Sequence, residues 1–134
     1  MDPLAADQVL TSGVPVRMVP LDVTMQFRWS SRELEALRSA SQAGSLLARA
    51  LGFVHDRDGV FIPHDAVTAI AMTAPELFDW SAHPARCETS GSLTTGATVI
   101  DRRPQAEVGH VLVAQSAKVD QVTERILTAI GRLD

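Results

Sequence analysis

The chain has 134 residues, 46% of them hydrophobic and 21% charged, with a formal net charge of -4, which suits one domain with a real core and excludes a disordered chain. The acidic balance argues against nucleic acid or an anionic membrane as a partner, since both select basic patches. One cysteine, Cys87, leaves no internal disulfide and points to a reducing cytoplasm, and no apolar run is long enough to span a bilayer.

The first residues, Met1-Asp2-Pro3-Leu4, lack the basic start and apolar core of a secretory leader. Leu4 to Ser12 then predicts a short helix stopped by Gly13. Val14 to Val23 is mostly apolar and predicts a strand buried on both faces of a parallel sheet. Pro15 and Pro20 require that strand to be short or near an edge. Ser30-Ser31-Arg32-Glu33 fits a capping box that opens a helix through Leu34 and Leu37. Leu46, Leu47, Ala50 and Leu51 mark the next helix, with Gly52 as its expected stop. Asp65 is a natural N-cap for the apolar run Ala66 to Met72, and Pro75 to Phe78 predicts a turn or a short helical segment. Strands are expected over 86–90, 97–101 and 108–114. Val119, Val122, Ile126, Ile130 and Leu133 share one face of a last helix, which Asp120 or Ser116 can cap. Helices and strands mix throughout, with no repeat and no linker, so the expected fold is α/β or α+β in a single unit, 1–134.

Few residues offer chemistry. Ile62-Pro63-His64-Asp65 sets an acid-base residue beside a hard-metal ligand just before a helix, a geometry that brings an imidazole and a carboxylate to one point at the mouth of an α/β sheet. Against this stands the fact that aspartate caps helices everywhere. Gly91 to Gly96 has the glycine spacing of a phosphate loop, but Ala97 stands where a lysine is needed and a strand follows, so a hairpin connection is the better reading. Asp56-Arg57-Asp58-Gly59 lacks the later ligands of a calcium loop and reads as a solvated turn. Alternation puts Cys87 on the buried face of its strand, as an inert hydrophobe. His110 lies among apolar neighbours and reads as packed, while His55 and His83 fall in polar turns.

The wider pattern is more specific. Asp2-Pro3-Leu4-Ala5-Ala6 is followed by Ser12-Gly13-Val14-Pro15 and by Leu21-Asp22-Val23-Thr24. Pro63-His64-Asp65, Ala74-Pro75-Glu76-Leu77-Phe78, the run Glu88 to Gly96, and Thr98 to Arg103 come next in order. Together these segments resemble the C-terminal part of the inosine-uridine preferring nucleoside hydrolases. The resemblance implies a Rossmann-like layered α/β fold, truncated and lacking its N-terminal strands. It implies hydrolysis of the N-glycosidic bond of ribonucleosides with a bound Ca²⁺. It also implies that His64 assists the leaving base as a catalytic acid and that Asp65 is a metal ligand. The chemistry asks for both groups, because an oxocarbenium-like transition state needs a stabilised leaving base and an activated water.

This sequence departs from the family pattern in four places. The aspartate-rich motif that supplies most calcium ligands is absent, and so is the glutamate-phenylalanine-asparagine segment that grips the ribose. Ala66 stands where a proline commonly follows His-Asp, and Met25 where a polar or basic residue follows the threonine. The expectation is therefore a fragment that is inactive alone and acts on a ribonucleoside only when completed, by an N-terminal half polypeptide. A homo-oligomer is expected from the surface so exposed. The alternative is a non-catalytic interaction module built on the same scaffold; an independent hydrolase using His64 and Cys87 has less support.

Overall fold

Asp2 opens the first helix: its carboxylate accepts the Ala5 N–H at 3.0 Å, and Pro3 takes the first helical position, where no N–H is needed. The computed structural model describes residues 2–103 and 111–133. Helix α1 spans Pro3–Thr11, followed by β1 Val16–Met18, α2 Leu21–Thr24, α3 Ser31–Ala40, α4 Gln42–Asp58 and α5 His64–Thr73. A 3-10 turn, Pro75–Leu77, leads into β2 Phe78–His83, β3 Ala85–Cys87, β4 Thr98–Ile100, β5 Val111–Ala117 and α6 Val119–Gly131. The chain divides into two compact units, Met1–Met18 with Trp80–Gln115, and Val19–Asp79 with Ser116–Asp134.

The first unit is built on strands. The sheet order is β1-β5-β2, with β1 parallel to β5 and Val16 opposite Val111. Val111, Val113 and Ala85 form its core, with Leu10, Val16, Met18 and Ile100 packed against them. Strands β3 and β4 pair antiparallel, Cys87 opposite Thr98. Their edges lie within a residue or three of the predicted 86–90 and 97–101. The strand expected over Val14 to Val23 is corrected: only Val16–Met18 is paired as a strand, and none of its residues is fully buried. Pro15 and Pro20 bracket it, and beyond Pro20 the chain turns into α2 with Asp22 in the first turn. Strand β2 was not predicted, because Ser81-Ala82-His83 carries no β-branched signal. His83 accordingly ends a strand and is not in a turn. Of the strand expected over 108–114, residues 108–110, His110 included, lie outside the described residues.

The second unit is helical. Ser30 and Glu33 form the predicted capping box: the Ser30 N–H donates to Glu33 Oε2 at 2.7 Å, and the Arg32 N–H donates to Ser30 Oγ at 3.2 Å. Leu37 and Phe27 are fully buried, with Val23, Val67 and Val122. Helix α4 runs straight through Gly52 and stops at Gly59, whose φ of 71° lets its N–H reach the His55 carbonyl at 2.7 Å. Gly52 is therefore not the stop, and His55 and Asp56 to Asp58 belong to the last helical turn. Asp65 is not the cap of α5 either; Pro63 holds that place without a side-chain bond, and Asp65 sits in the first turn. Likewise α6 starts after Lys118 with no side-chain cap, Ser116 belonging to β5. Val122 and Ile126 bury its apolar face as predicted, whereas Leu133 falls beyond the helix and is exposed. Among the described residues no helix is long and apolar enough to cross a membrane.

Candidate functional site

Pro63, at φ -82° and ψ 60°, turns the chain so that α5 begins at His64. The imidazole is half-buried, and its Nδ1 lies 2.8 Å from the Thr24 hydroxyl oxygen. Thr24 is buried at the end of α2, a four-residue helix that packs beside α5, and its hydroxyl also donates to the Leu21 carbonyl at 3.2 Å. Asp65 follows on the exposed side. His64 and Asp65 both line a pocket of about 280 Å³ whose other walls include Trp29, Phe61, Leu51 and Ile126. Trp29 and Phe61 exchange backbone hydrogen bonds at 2.8 and 3.0 Å, and their rings meet edge-on at 6.1 Å. The result is an apolar, aromatic-walled recess with one imidazole and one carboxylate, the lining typical of a small-molecule site.

The sequence singled out His64 and Asp65, and the structure sets them on one pocket wall. In the sequence Thr24 is only the end of Leu-Asp-Val-Thr; nothing local links it to a histidine 40 residues away. Trp29 and Phe61 carry no sequence signal for the same reason, since their pairing is long-range.

Calcium takes roughly six to eight oxygen ligands. Among the described residues no three His, Cys, Asp or Glu side chains come together as a metal group. Asp65 offers a single carboxylate, so these residues do not by themselves fit a calcium cage.

The remaining candidates resolve into structure. Cys87 is buried, its N–H donates to Asp7 Oδ1 at 2.9 Å, and it lies in the strand unit while His64 lies in the helical one. The segment from Gly91 to Gly96 joins β3 to β4 as a hairpin connection. Its amides serve the chain itself: Ser90 and Gly91 donate to the Glu88 carboxylate at 2.9 and 3.1 Å, and Gly96 donates to the Glu88 carbonyl at 2.7 Å. Those two backbone N–H groups, Ser90 first, hold the Glu88 carboxyl below the ordinary range.

A sequence profile of the inosine-uridine preferring nucleoside hydrolase family matches residues 1–124. The pyrimidine-specific ribonucleoside hydrolase RihA of Shewanella oneidensis is 37% identical over 110 residues, which is 76% of this chain and 35% of that protein. The protein of the same name from Salmonella schwarzengrund is 31% identical over 140 residues, 94% of this chain and 45% of its own length. Among solved structures, a purine-preferring ribonucleoside hydrolase from Gardnerella vaginalis superposes with a TM-score of 0.80 at 28% identity, covering 97% of this chain and 44% of that one. An inosine-guanosine nucleoside hydrolase reaches a TM-score of 0.86 at 18% identity over 99% of this chain and 45% of that one, a likeness of fold alone. The chain thus spans between about a third and a half of the length of these relatives. Its α/β architecture is that of the corresponding part of the nucleoside hydrolase fold. The chain belongs to the inosine-uridine preferring nucleoside hydrolase family.

Proposed function

We propose that this chain is the C-terminal portion of a ribonucleoside hydrolase domain and supplies the acid side of its catalytic pocket. The observation that carries this is His64, held at Nδ1 by Thr24 on the wall of an aromatic recess beside Asp65. In this reading His64 acts on the departing base of a ribonucleoside as it leaves the sugar, a proton transfer that general catalysis makes worth about a hundred- to ten-thousand-fold. In the same reading Asp65 contributes one carboxylate to a Ca²⁺ site whose other ligands come from outside the described residues.

The natural partner is a polypeptide carrying the aspartate-rich part of the domain. Leu46 and Phe53 on α4 and Met72 on α5 are exposed, apolar surface of the kind that drives association, and they support pairing with that polypeptide or, in its absence, with a second copy of the chain. A cytoplasmic setting accords with the single buried Cys87.

The test is reconstitution. The purified chain with Ca²⁺ should leave inosine, uridine and cytidine intact, and co-expression with the aspartate-rich polypeptide should restore turnover that His64→Ala removes. Metal-dependent turnover by the chain alone would overturn the fragment reading. A stable monomer with no affinity for that polypeptide would favour the interaction module, for which the exposed apolar side chains are the one specific support.

A further inference from the structure

We propose that Thr24 is the positioning residue for His64 and that it fixes the neutral imidazole with its hydrogen on Nδ1, leaving Nε2 as the ring nitrogen offered to substrate. The proposal rests on the reading of His64 given above and names the atom through which it works.

A threonine hydroxyl has one hydrogen and two lone pairs. Thr24 Oγ1 makes two contacts, with the Leu21 carbonyl oxygen at 3.2 Å and with His64 Nδ1 at 2.8 Å. The carbonyl can only accept, so a hydroxyl that keeps both contacts sends its hydrogen to Leu21 and turns a lone pair toward the ring. Nδ1 must then be the donor. The Leu21 carbonyl also accepts the Met25 N–H at 2.8 Å, which its second lone pair permits. In the opposite arrangement the hydroxyl donates to Nδ1, and two oxygens face each other across 3.2 Å with no hydrogen between them. One bond then survives where the first arrangement keeps two. Thr24 is only 3% exposed, so water is not at hand to replace the lost one.

The anchor is also rigid. Val23, next to Thr24, is fully buried, and the β-branched Thr24 side chain has few rotamers to visit. Nδ1 is thus committed to the protein as a donor in the neutral and the protonated ring alike, so Nε2 is the nitrogen that takes up a proton and hands it to the departing base. A histidine's working nitrogen is set by the bond that its other nitrogen makes.

The experiment is a long-range proton–nitrogen correlation spectrum of the ¹⁵N-labelled full chain, recorded where the rings are neutral, with His64 assigned by its absence in His64→Gln. The expected pattern is a pyrrole-type shift at Nδ1 and a pyridine-type shift at Nε2. Thr24→Ser, which keeps the hydroxyl, should preserve it, and the near-isosteric Thr24→Val should move both shifts toward the averaged values of a ring exchanging between tautomers. A wild-type or Thr24→Ser ring with its hydrogen on Nε2 overturns the proposal, as does an unchanged pattern in Thr24→Val. The wild-type spectrum needs no substitution, so it decides even where a variant fails to fold. The readout needs no turnover, which separates it from the hydrolase reading. An Nε2-protonated ring in a reconstituted, active enzyme sinks only the tautomer, and an Nδ1-protonated ring without turnover sinks only the activity.

Discussion

Arg86 grips Asp7 through both sides of its guanidinium, Nε to Oδ1 at 2.8 Å and the terminal nitrogen to Oδ2 at 2.7 Å, across 79 residues of sequence. The Cys87 N–H adds a third bond to the same carboxylate at 2.9 Å. One acidic side chain on α1 therefore anchors both the side chain and the backbone of β3. The Arg86 bonds first, and the Cys87 amide second, hold the Asp7 carboxyl at about 2, well under its ordinary 3.8.

That shift sets a pH window. The folded pKa lies below the unfolded one, so the stabilisation is complete above about pH 4 and is lost as the pH falls through about 2. Asp101, held at about 2 chiefly by its Arg103 hydrogen bonds, adds to the same window. Urea midpoints measured at steps from neutral pH down to about 2 should fall more steeply in the wild type than in Asp7→Asn. Parallel curves for the two proteins would show that the Arg86 clasp contributes nothing to folding.

The end of α4 makes a paired prediction. Gly59 has a φ of 71°, so Gly59→Ala should destabilise by about 1 kcal/mol, because a Cβ makes that left-handed conformation costly. Gly52 lies inside the helix with open space around its Cα, so Gly52→Ala should stabilise by about 0.5 kcal/mol. Denaturation of the two variants gives opposite signs if α4 runs to Asp58, and the reverse signs if it stops at Gly52.

Leu37 has no exposed surface, and its truncation to alanine removes packed methyl groups that the neighbours cannot fully replace. Leu37→Ala should cost about 3 kcal/mol. Ser30→Ala, which deletes a helix cap and leaves the core intact, should cost about 1 kcal/mol. Equal losses would mean that the helical unit is not packed around Leu37.

Calcium gives the fourth prediction. With no group of three metal-binding side chains among the described residues and a single carboxylate at Asp65, titration calorimetry of the chain should find no tight Ca²⁺ site, and Asp65→Asn should leave the isotherm unchanged. A tight site lost in Asp65→Asn would mean that a second copy of the chain supplies further ligands around it.

How much of this was readable beforehand depends on how local each signal is. The capping box at Ser30 and the apolar face of α6 depend on residues three or four apart, and they were legible. The stop of α4 is not legible in the sequence, because a glycine in a helix and a glycine after one look alike until φ is known. The region from Val14 to Val23 misled in another way: its apolar run is real, but Pro20 cuts it, and Val23 and Thr24 are buried from a helix. At the candidate site, residue type and motif single out His64 and Asp65, and both line the same pocket. Their surroundings carry no such mark, because Thr24, Trp29 and Phe61 reach the pocket only through tertiary packing.

Trp29 and Trp80 are the chain's two tryptophans, and each compact unit holds one. Trp29 sits almost fully buried in the helical unit, while Trp80, half-buried in the strand unit, has the Arg17 guanidinium 5.9 Å from its ring centre. The protein is thereby furnished with a separate optical channel for each unit, since indole emission reports on its own surroundings. In Trp80→Phe the light comes from the helices alone, and in Trp29→Phe from the strands alone. Melting each by fluorescence tells whether the units surrender their structure at one temperature or in succession, with no label added to either.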